Sequence, residues 1–531
     1  MGLRELEQKA GAGALISHSK VLELCDFARA ADRITAPIEW LTVPTCGRRD
    51  GLLRTIQSYA ANSLAFGRRP AIFIAEQCQS GEDNRAMLSA FAAESNTRVF
   101  YAGDEEKLSF ARHLTQGGSI PPEVVQFALF GCANSGANMG ANRNAILLQT
   151  LGSRLLSVDD DTVCEPASVP GSGQNVHFGC EADPTDVWFF GDRCSARGFV
   201  ERREVDLLQA HERLLGKGLH DLVAGSGSDE PVSIHSPCLH ILGHLCSGGG
   251  QILSTYNGLV GDAGIHSSFP LLVHPRRPTK ERLTSSEDAY RQNSQSREIV
   301  RQALVPTVGH GPGAAGVAAF LGLDNRQLLP PFLPSFRGED GIFAEMLARC
   351  REGACTGHVP LTLLHDRPAG RVYGDVATLR MSHLIAGGLH SCSMSVAERS
   401  CSDRMSYIGK HLIFLASLAE EEFRQWVRTT ICRRASSIAK AAHLALMREY
   451  SEPEYWAEDL SQTTDRLLAV ALDPTCTVPE ELRPGGGTGG LGAAREIIRL
   501  FGELLRWWPA IVERTRELAE KGMQIGQCLG P

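Results

Sequence analysis

Short apolar runs alternate with helix-length segments in the first third of the chain. The runs predict strands, and the segments between them carry apolar residues at helical spacing and predict helices. The predicted strands are residues 40–44, 71–75, 98–101 and 154–158, and the predicted helices are residues 50–60, 84–93 and 142–151. This alternation is typical of a parallel sheet with connecting helices, so it predicts an α/β fold.

The remainder of the chain has two other patterns. Residues 166–334 are irregular, and the polar run at 279–298 predicts a poorly ordered loop. From about residue 381 the pattern is mostly helical, with a break in the glycine segment 485–490. We therefore predict three regions: an N-terminal helical extension at 1–37 with a helix at 19–31, an α/β domain at 38–375 with an insertion around 166–334, and a helical C-terminal region at 376–531.

Apolar residues near the C-terminus recur at intervals of three and four. They are Ile497, Phe501, Leu504, Trp508 and Ile511. This spacing predicts an amphipathic helix pair, or one helix that is interrupted before Pro509. The apolar face favours core packing or a homo-oligomer through these helices, and a membrane-surface anchor at Trp507 and Trp508 is the alternative.

Charge and cysteine content narrow the class of protein. The chain has 531 residues, a formal net charge of −8 and a pI near 6.1, with no basic stripe that would attract nucleic acid. Its 16 cysteines include no Cys-x-x-Cys pair, which argues against a zinc ribbon and a secreted disulfide scaffold. No apolar stretch reaches the roughly 20 residues of a membrane span. We therefore expect a soluble, cytoplasmic protein.

Three consecutive aspartates, Asp159, Asp160 and Asp161, follow the apolar run at 154–158. A strand there would deliver its carboxylates to one rim of the sheet, and Asp159 and Asp161 would point the same way. Hard cations such as Mg²⁺ and Mn²⁺ take oxygen ligands, often carboxylates together with substrate phosphates. The pattern indicates a metal and phosphate site, and a solvated acidic turn is the alternative.

The segment before the aspartates makes this indication more specific. Asn138-Met139-Gly140-Ala141-Asn142-Arg143-Asn144 opens the helix that leads into the acidic strand. The segment from Asn138 to Asp161 resembles the nucleotide-sugar site of glycosyltransferase family 2 and related GT-A enzymes. Their pattern is Asn-x-Gly, Arg-Asn, a helix, and a strand ending in Asp-x-Asp. Residues 42–45 with Arg48 resemble the first strand and turn of the same family. The resemblance covers residues 38–368 and implies a Rossmann-like GT-A domain at 38–375.

The resemblance also implies a donor site and a metal site. Asp161 would ligate a divalent cation, Mn²⁺ or Mg²⁺, that bridges the donor diphosphate, and Asp159 would meet the ribose or the metal. His365 would be a further metal ligand, which favours Mn²⁺; the alternative is a structural histidine, with Asp366 orienting the ring. Glu76 stands where the family commonly has an Asp that contacts the nucleotide base. The implied donor-binding residues are Pro44, Thr45, Arg48, Glu76, Asn138, Gly140, Arg143, Asn144, Asp159 and Asp160. For Arg143, a surface ion pair on the helix is the alternative.

Residues 336–343, Phe-Arg-Gly-Glu-Asp-Gly-Ile-Phe, resemble the acceptor-side Glu-Asp motif of the same superfamily. Asp340 lies 179 residues beyond Asp161. The resemblance implies that Asp340 is the catalytic base and that Glu339 orients it or an acceptor hydroxyl. Such a base implies inversion of configuration, whereas related GT-A families retain it. A helix N-terminus with favourable acidic residues is the alternative.

Two weaker signals indicate other chemistry. Residues 311–316 satisfy Gly-x-Gly-x-x-Gly but lack a strong preceding strand, so a tight turn is favoured over dinucleotide binding. A short segment contains His235, Cys238, His240, His244 and Cys246, which indicate zinc binding as an alternative, although their spacing fits none of the usual structural zinc patterns well. Residues 248–250 and 256–258 are expected to line the acceptor or sugar.

The sequence therefore predicts a metal-dependent, hexosyltransferase-like glycosyltransferase. It would move a sugar from a nucleoside diphosphate sugar, with UDP expected, to an acceptor hydroxyl, thiol or amine. The acceptor is left open among small molecules, glycans and peptides. Two alternatives are a nucleotidyltransferase that acts on a nucleoside triphosphate and a sugar-nucleotide-binding regulator without turnover.

Overall fold

The computed structural model describes most of the chain. The described residues are 15–16, 36–77, 84–132, 138–179, 182–225, 232–234, 239–368, 370–393, 400–447, 453–473, 477–483 and 490–530. The helix predicted at 19–31, His235, Cys238 and the glycines at 485–489 lie outside these residues.

The described strands belong to one mixed sheet. In chain order they are β1 (Leu15–Ile16), β2 (Ile38–Thr45), β3 (Ala71–Glu76), β4 (Val99–Ala102), β5 (Arg154–Val158), β6 (Thr162–Ser168), β7 (His177–Phe178), β8 (Asp186–Phe190), β9 (Glu201–Arg202), β10 (Val232–Ile234), β11 (Gln251–Asp262), β12 (Glu298–Gln302), β13 (Thr307–His310), β14 (Phe320–Asp324), β15 (Ala354–His365) and β16 (Gln527–Cys528).

Helices connect and cover these strands. In chain order they are α1 (Arg49–Ala65), α2 (Arg85–Ser95), α3 (Asp104–Thr115), α4 (Pro122–Phe130), α5 (Met139–Gln149), α6 (Arg193–Phe199), α7 (Leu207–Glu212), α8 (Leu219–Gly225), α9 (Leu239–Ser247), α10 (Phe269–Leu272), α11 (Arg277–Leu283), α12 (Glu287–Asn293), α13 (Glu339–Cys350), α14 (Met381–Ser391), α15 (Cys401–Ser417), α16 (Glu420–Met447), α17 (Glu454–Leu472) and α18 (Gly490–Glu520). The predicted α/β class is confirmed, and each helix and strand predicted between residues 40 and 158 lies within a few residues of its observed place.

The strand order fixes where a ligand site can form. The centre of the sheet runs β4-β3-β2-β5-β14-β11-β15. Strands β2 to β5 are parallel, β14 is antiparallel to both of its neighbours, and β11 and β15 are parallel to each other. The carboxyl ends of β2, β5, β11 and β15, at Thr45, Val158, Asp262 and His365, therefore meet along one edge, which we call the site edge.

The order in which the chain adds strands across the sheet reverses between β2 and β5. From β2 it moves outward to β3 and β4, and it then returns to place β5 on the other side of β2. In open α/β sheets, ligands bind outside the carboxyl ends of the strands at such a reversal. The acidic triplet follows β5 directly, so it lies at this point.

Successive side chains of the strands enter two different cores. Phe73 packs with α5 and α18, and its neighbour Ile74 packs on the opposite face with α1 and α2. The first core also contains the buried Trp508, whose indole Nε1 donates to the carbonyl oxygen of Leu329 at 2.9 Å. The C-terminal helices thus share one hydrophobic core with the sheet, and β16 pairs with β4 at its edge.

Two sequence predictions about the middle of the chain are wrong. Residues 166–334 contribute strands β8 and β11 to β14 together with helices, because their apolar residues are buried by distant parts of the chain. The run at 279–298 forms most of α11 and all of α12. Thr279 and Tyr290 are buried there, and the Tyr290 hydroxyl donates to Asp459 at 2.6 Å. Residues 311–316 form a short 3₁₀ turn after β13, as the turn interpretation predicts.

The C-terminal amphipathic segment is one continuous helix. Pro509 lies inside α18, so the predicted interruption there is wrong. The apolar face of α18 packs on α15 and on the sheet core, which confirms the core-packing interpretation. Among the described residues, no helix is long and apolar enough to cross a membrane.

Candidate functional site

The three aspartates after β5 are buried. Asp159, Asp160 and Asp161 are 8%, 3% and 5% exposed, so the alternative of a solvated turn is excluded. Three buried carboxylates repel one another unless positive charge lies close to them. In this protein, arginines from three separate segments supply that charge.

The turn after β2 holds the second and third carboxylates. Arg48 Nη1 donates to Asp160 Oδ1 at 3.0 Å and to Asp161 Oδ2 at 2.9 Å. The hydroxyl of Thr45 donates to Asp160 Oδ2 at 2.7 Å. A Cβ added to Gly51 would lie 2.7 Å from the Asp160 carbonyl oxygen, so a glycine lets α1 approach the triplet closely. Asp160 therefore joins the ends of β2 and β5.

Arg143 links the two acidic motifs of the sequence. It is 4% exposed, and its Nη2 donates to Asp159 Oδ1 at 3.0 Å. On its other side, Nε lies 3.7 Å from Glu339 Oε1. The surface ion pair that was the alternative for Arg143 is therefore excluded. A stretch of 179 residues separates Asp161 from Asp340, yet one guanidinium spans the gap between the two motifs in space.

Two buried atoms face each other without a hydrogen-bond partner among the described residues. They are Asp161 Oδ1 and His365 Nε2, which are 3.5 Å apart. His365 Nδ1 lies 2.6 Å from the Asp262 carbonyl oxygen, which can only accept, so Nδ1 carries the ring proton. A neutral ring therefore directs the lone pair of Nε2 towards Asp161, whereas a protonated ring directs an N–H there. A carboxylate oxygen and an imidazole nitrogen are a donor pair that suits Mn²⁺.

Arg367 occupies carboxylate oxygens that would otherwise be available to a metal ion. Arg367 Nε lies 2.8 Å from Asp161 Oδ2, and Arg367 Nη2 lies 3.8 Å from Asp159 Oδ2. Within the described residues, no group of three Asp, Glu, His or Cys has the arrangement of a complete metal site. The protein thus offers Asp161 and His365, and a cation held there would take its other ligands from water or phosphate oxygens.

The three carboxyl groups differ in pKa. Burial acts to raise the pKa of Asp161, but His365, Arg367 and Arg48 outweigh it and hold that pKa well below its usual range. Burial raises the pKa of Asp160 to about 6 against the opposing effects of Arg48 and Thr45. Burial likewise raises the pKa of Asp159. Asp161 is therefore the carboxylate that stays ionised most readily, as a cation ligand must.

Glu339 and Asp340 occupy the first turn of α13. Burial and the adjacent Asp340 raise the pKa of Glu339 to about 7, while Arg143 acts to lower it. Asp340 Oδ1 accepts a hydrogen bond from the backbone N–H of Gly341 at 2.8 Å. Gly338, which precedes the pair, has a φ of 90° and lets the chain turn sharply into the helix. Glu339 thus enters the site beside Arg143, and Asp340 follows it in the same helical turn.

The predicted donor residues on α5 are engaged by the protein itself. Asn144 Nδ2 donates to the carbonyl oxygens of Ala128 and Phe332, and its Oδ1 accepts from Phe332 N–H at 2.8 Å. Asn138 Oδ1 accepts from the Ser335 hydroxyl at 2.8 Å. These contacts hold the segment that leads to Glu339. The structure therefore gives Asn138 and Asn144 a positioning role, and direct donor contact stays a prediction.

Glu76 and Pro44 are likewise inside the protein. Glu76 is fully buried, and its carboxylate accepts from Asn84 Nδ2 at 2.7 Å and from the Tyr101 hydroxyl at 2.9 Å. Pro44 pairs with Ala75 within the sheet. Both carboxylate oxygens of Glu76 thus already accept hydrogen bonds from the protein. The contact of Glu76 with a nucleotide base therefore stays a prediction.

Sequence reasoning missed Lys107. This lysine is fully buried on α3, and its Nζ donates to the Glu76 carbonyl oxygen at 2.7 Å and to Asn142 Oδ1 at 2.5 Å. Asn142 in turn donates to the carbonyl oxygen of Thr45 at 3.0 Å. Burial lowers the pKa of Lys107 to about 8. Lys107 thus ties the ends of β2 and β3 to α5, and no local pattern marked it.

The alternative prediction that Asp366 orients the His365 ring is wrong. Its carboxylate pairs with Arg193 and with Arg54, the latter at 2.5 Å, and the carbonyl of Asp262 orients the His365 ring instead. The Asp366 backbone N–H donates to the Asp161 carbonyl oxygen at 2.8 Å. Asp366 therefore fixes the strand end that carries His365.

Several residues expected near a substrate lie at the opposite edge of the sheet. β11 runs toward the site edge, so residues 248–250, just before its start, are far from the aspartates. Tyr256 and Asn257 are buried in the middle of β11. The His240 ring stacks on His310 with centroids 4.7 Å apart, also beyond the start of β11. The expectation of a substrate loop at 248–250 is wrong, and the zinc alternative gains no support from the described residues.

We expect Gly140→Ala to destabilise the protein by about 1–3 kcal/mol, the usual cost of overpacking. A Cβ at this position would lie 1.8 Å from the Leu333 carbonyl oxygen, so the segment that leads to Glu339 must move. Thermal unfolding measures the effect. Gly341→Ala is the matched control, because its added Cβ meets nothing within 4 Å, and there we expect unchanged or slightly higher stability. Equal melting temperatures for the two variants would contradict this packing.

Comparison with known proteins adds no relative. A scan against protein-family models gives no match, and no curated protein is significantly similar in sequence. The functional argument therefore rests on the residues and geometry of the site.

Proposed function

We propose that this protein is a metal-dependent GT-A glycosyltransferase, similar to family 2, that transfers a sugar from a nucleoside diphosphate sugar to an acceptor nucleophile. UDP-sugar is the expected donor. One observation carries the proposal: Arg143 lies between Asp159 and Glu339, so the two motifs that resemble the donor and acceptor sides of that family form one site.

The donor side supplies positive charge and cation ligands. Arg48 and Arg367 both contact Asp161 Oδ2, and each carries a permanent positive charge that can pair with an entering diphosphate. Asp161 and His365 would hold a divalent cation, for which their facing, unpartnered atoms are suited. When bound, the cation would act as a Lewis acid that neutralises charge on the leaving nucleoside diphosphate.

The acceptor side supplies a base. Asp340 takes the proton of the acceptor hydroxyl, thiol or amine while that nucleophile bonds to the anomeric carbon. The bond from the anomeric carbon to the diphosphate oxygen breaks, and the nucleoside diphosphate leaves with the electron pair. Glu339 accepts a hydrogen bond from the acceptor and keeps Arg143 in place. Attack from the face opposite the leaving group inverts the configuration.

The experiment that tests this function is calorimetric titration with nucleoside diphosphates and their sugars, with and without Mn²⁺ or Mg²⁺. Metal-dependent binding of one nucleoside diphosphate supports sugar transfer and identifies the base, and a ligand that binds only the folded state also raises the melting temperature. Release of pyrophosphate from a nucleoside triphosphate would instead assign nucleotidyl transfer. An absence of nucleotide binding with metal present contradicts the proposal.

The pKa of Glu339 leads to a pH prediction. Because that pKa is raised to about 7, Glu339 is largely protonated at pH 6 and largely ionised at pH 8. We expect the transfer rate to rise about tenfold between these values, since the ionised carboxylate accepts a stronger hydrogen bond from the acceptor and carries the charge that attracts Arg143. Rate measurements across this range should show a midpoint near 7, and Glu339→Gln should remove it. A midpoint near 7 that persists in Glu339→Gln would assign the ionisation to another group.

A further inference from the structure

An open groove lined by aromatic rings lies beside β8 and α11. Its volume is about 450 Å³, and its lining includes the partly exposed rings of Trp188, Phe190 and Phe199. Trp188 and Phe190 are two residues apart on a strand, so they share one face of it. Phe199, at the end of α6, lies 5.5 Å from Trp188 and 5.4 Å from Phe190 between ring centroids. The three partly exposed rings thus form one aromatic surface, in which the Phe199 ring is tilted 40° to Trp188 and 48° to Phe190.

The wall of the groove is polar. Glu281, Arg282, Ser285 and Asn293 also line the groove. The Arg282 guanidinium lies 4.3 Å from the centre of the Trp188 ring. Glu281 and Arg282 carry opposite charges, so this wall does not select for a strongly charged ligand. Rings beside hydroxyl, amide and charged groups match a pyranose, which has C–H groups on its faces and hydroxyls around its edge.

A polypeptide strand added beside β8 fits the groove less well than a sugar does. β8 is an edge strand among the described residues, and an exposed edge can pair with an added strand. At Val187, however, the N–H already donates to Thr279 Oγ1 at 2.9 Å, and the carbonyl accepts from Arg282 Nε at 2.8 Å. Helix α11 therefore blocks strand addition at this point.

The strand register connects the groove to the proposed catalytic site. Phe190 lies opposite Glu298 on β12, and Glu298 lies opposite Asp262 at the end of β11. Neighbouring strands are about 4.8 Å apart, so the backbones of Phe190 and Asp262 are about 10 Å apart. The Asp262 carbonyl holds the His365 ring. The groove thus begins two strands away from Asp262, which holds the metal-ligand candidate, and a few linked sugars can span that distance.

We propose that this groove binds the acceptor and that the acceptor is an oligosaccharide chain whose sugar rings stack on Phe190 and Phe199, beside the Trp188 ring that Arg282 covers. The inference rests on the proposed function and names its acceptor class. Distal sugars occupy the aromatic surface, and the chain end reaches Asp340 for transfer.

The test uses the full chain and hexasaccharides as probes: cellohexaose, chitohexaose and maltohexaose. We expect saturation-transfer NMR to detect binding of at least one, and we expect its affinity to exceed that of the matching disaccharide at least tenfold. Phe199→Leu keeps an apolar side chain at this position but removes the ring, and it should weaken hexasaccharide binding about tenfold. Phe199→Tyr restores a ring and should restore binding. Phe414→Ala removes an exposed ring elsewhere, on α15, and should leave binding unchanged.

The outcomes separate this inference from the proposed function. Metal-dependent nucleotide binding without binding of any hexasaccharide would overturn the groove assignment and leave sugar transfer standing. Equal hexasaccharide affinity in Phe199→Leu and in the unmodified protein would also overturn it. Binding of a tryptic peptide mixture in place of the sugars would assign a polypeptide acceptor. Absence of nucleotide binding refutes the proposed function itself. If Phe199→Leu unfolds, Glu281→Gln on the polar wall provides the second variant. Unchanged hexasaccharide affinity in that variant would overturn the assignment.

Discussion

Asp161→Asn should lower metal-dependent donor turnover about 100-fold or more while the protein remains folded. Asp161 Oδ1 faces His365 Nε2 at 3.5 Å, and neither atom has a hydrogen-bond partner among the described residues. The substitution keeps the shape of the side chain but removes the charge that a cation requires. Asn can still accept a hydrogen bond from Arg48, so the turn after β2 should persist.

The measurement is release of nucleoside diphosphate as a function of Mn²⁺ concentration, with circular dichroism as a test of folding. We expect the apparent affinity for Mn²⁺ to fall together with the rate. Asp403→Asn is the matched control, because Asp403 is exposed in the first turn of α15 and makes the same carboxylate-to-amide change outside the proposed site. Full activity in Asp161→Asn would remove this residue from the metal site.

Asp340→Asn should preserve donor binding and lower sugar transfer about 10²–10⁴-fold, the usual contribution of a general base. The amide cannot take the acceptor proton. It can still accept the hydrogen bond from the Gly341 N–H that Asp340 accepts at 2.8 Å, so the first turn of α13 should be retained. The loss should therefore appear in the transfer rate and not in the affinity for the donor.

Calorimetry with the nucleoside diphosphate and single-turnover transfer separate these two effects. Asp403→Asn is the control, because Asp403 also lies in the first turn of a helix, α15, but is exposed and pairs with Ser400. Transfer at the unmodified rate in Asp340→Asn would exclude Asp340 as the base and direct attention to Glu339, whose raised pKa suits a proton acceptor near neutral pH.

The roles of individual motif residues show where sequence reasoning stops. Local pattern identified Asp159 to Asp161, the family resemblance added Arg143 and Glu339, and the structure brings them together. The same pattern suggested that Asn138 and Asn144 contact a ligand, whereas their side chains bind the segment before Glu339. A residue type at a given spacing indicates a hydrogen-bonding capacity, and it does not specify the partner.

The residues missed by the sequence share a physical cause. Lys107 is surrounded by β3 and α5, and Arg367 reaches the aspartates from the end of β15. Their importance comes from contacts across more than 30 and 200 positions of the chain, respectively. The polar run at 279–298 was predicted as a loop for the same reason, because Thr279 and Tyr290 gain their burial from distant elements.

The sequence alone determined β2 to β5, α1, α2, α5, the α/β class and the acidic triplet, because these depend on local periodicity and on residue type. Tertiary structure decided the rest. The return of the chain from β4 to β5 placed the aspartates beside Arg48, and the antiparallel β14 set which ends of β11 and β15 reach the site. Pairing between distant strands cannot be read from local spacing, since it is fixed by packing over the whole sheet.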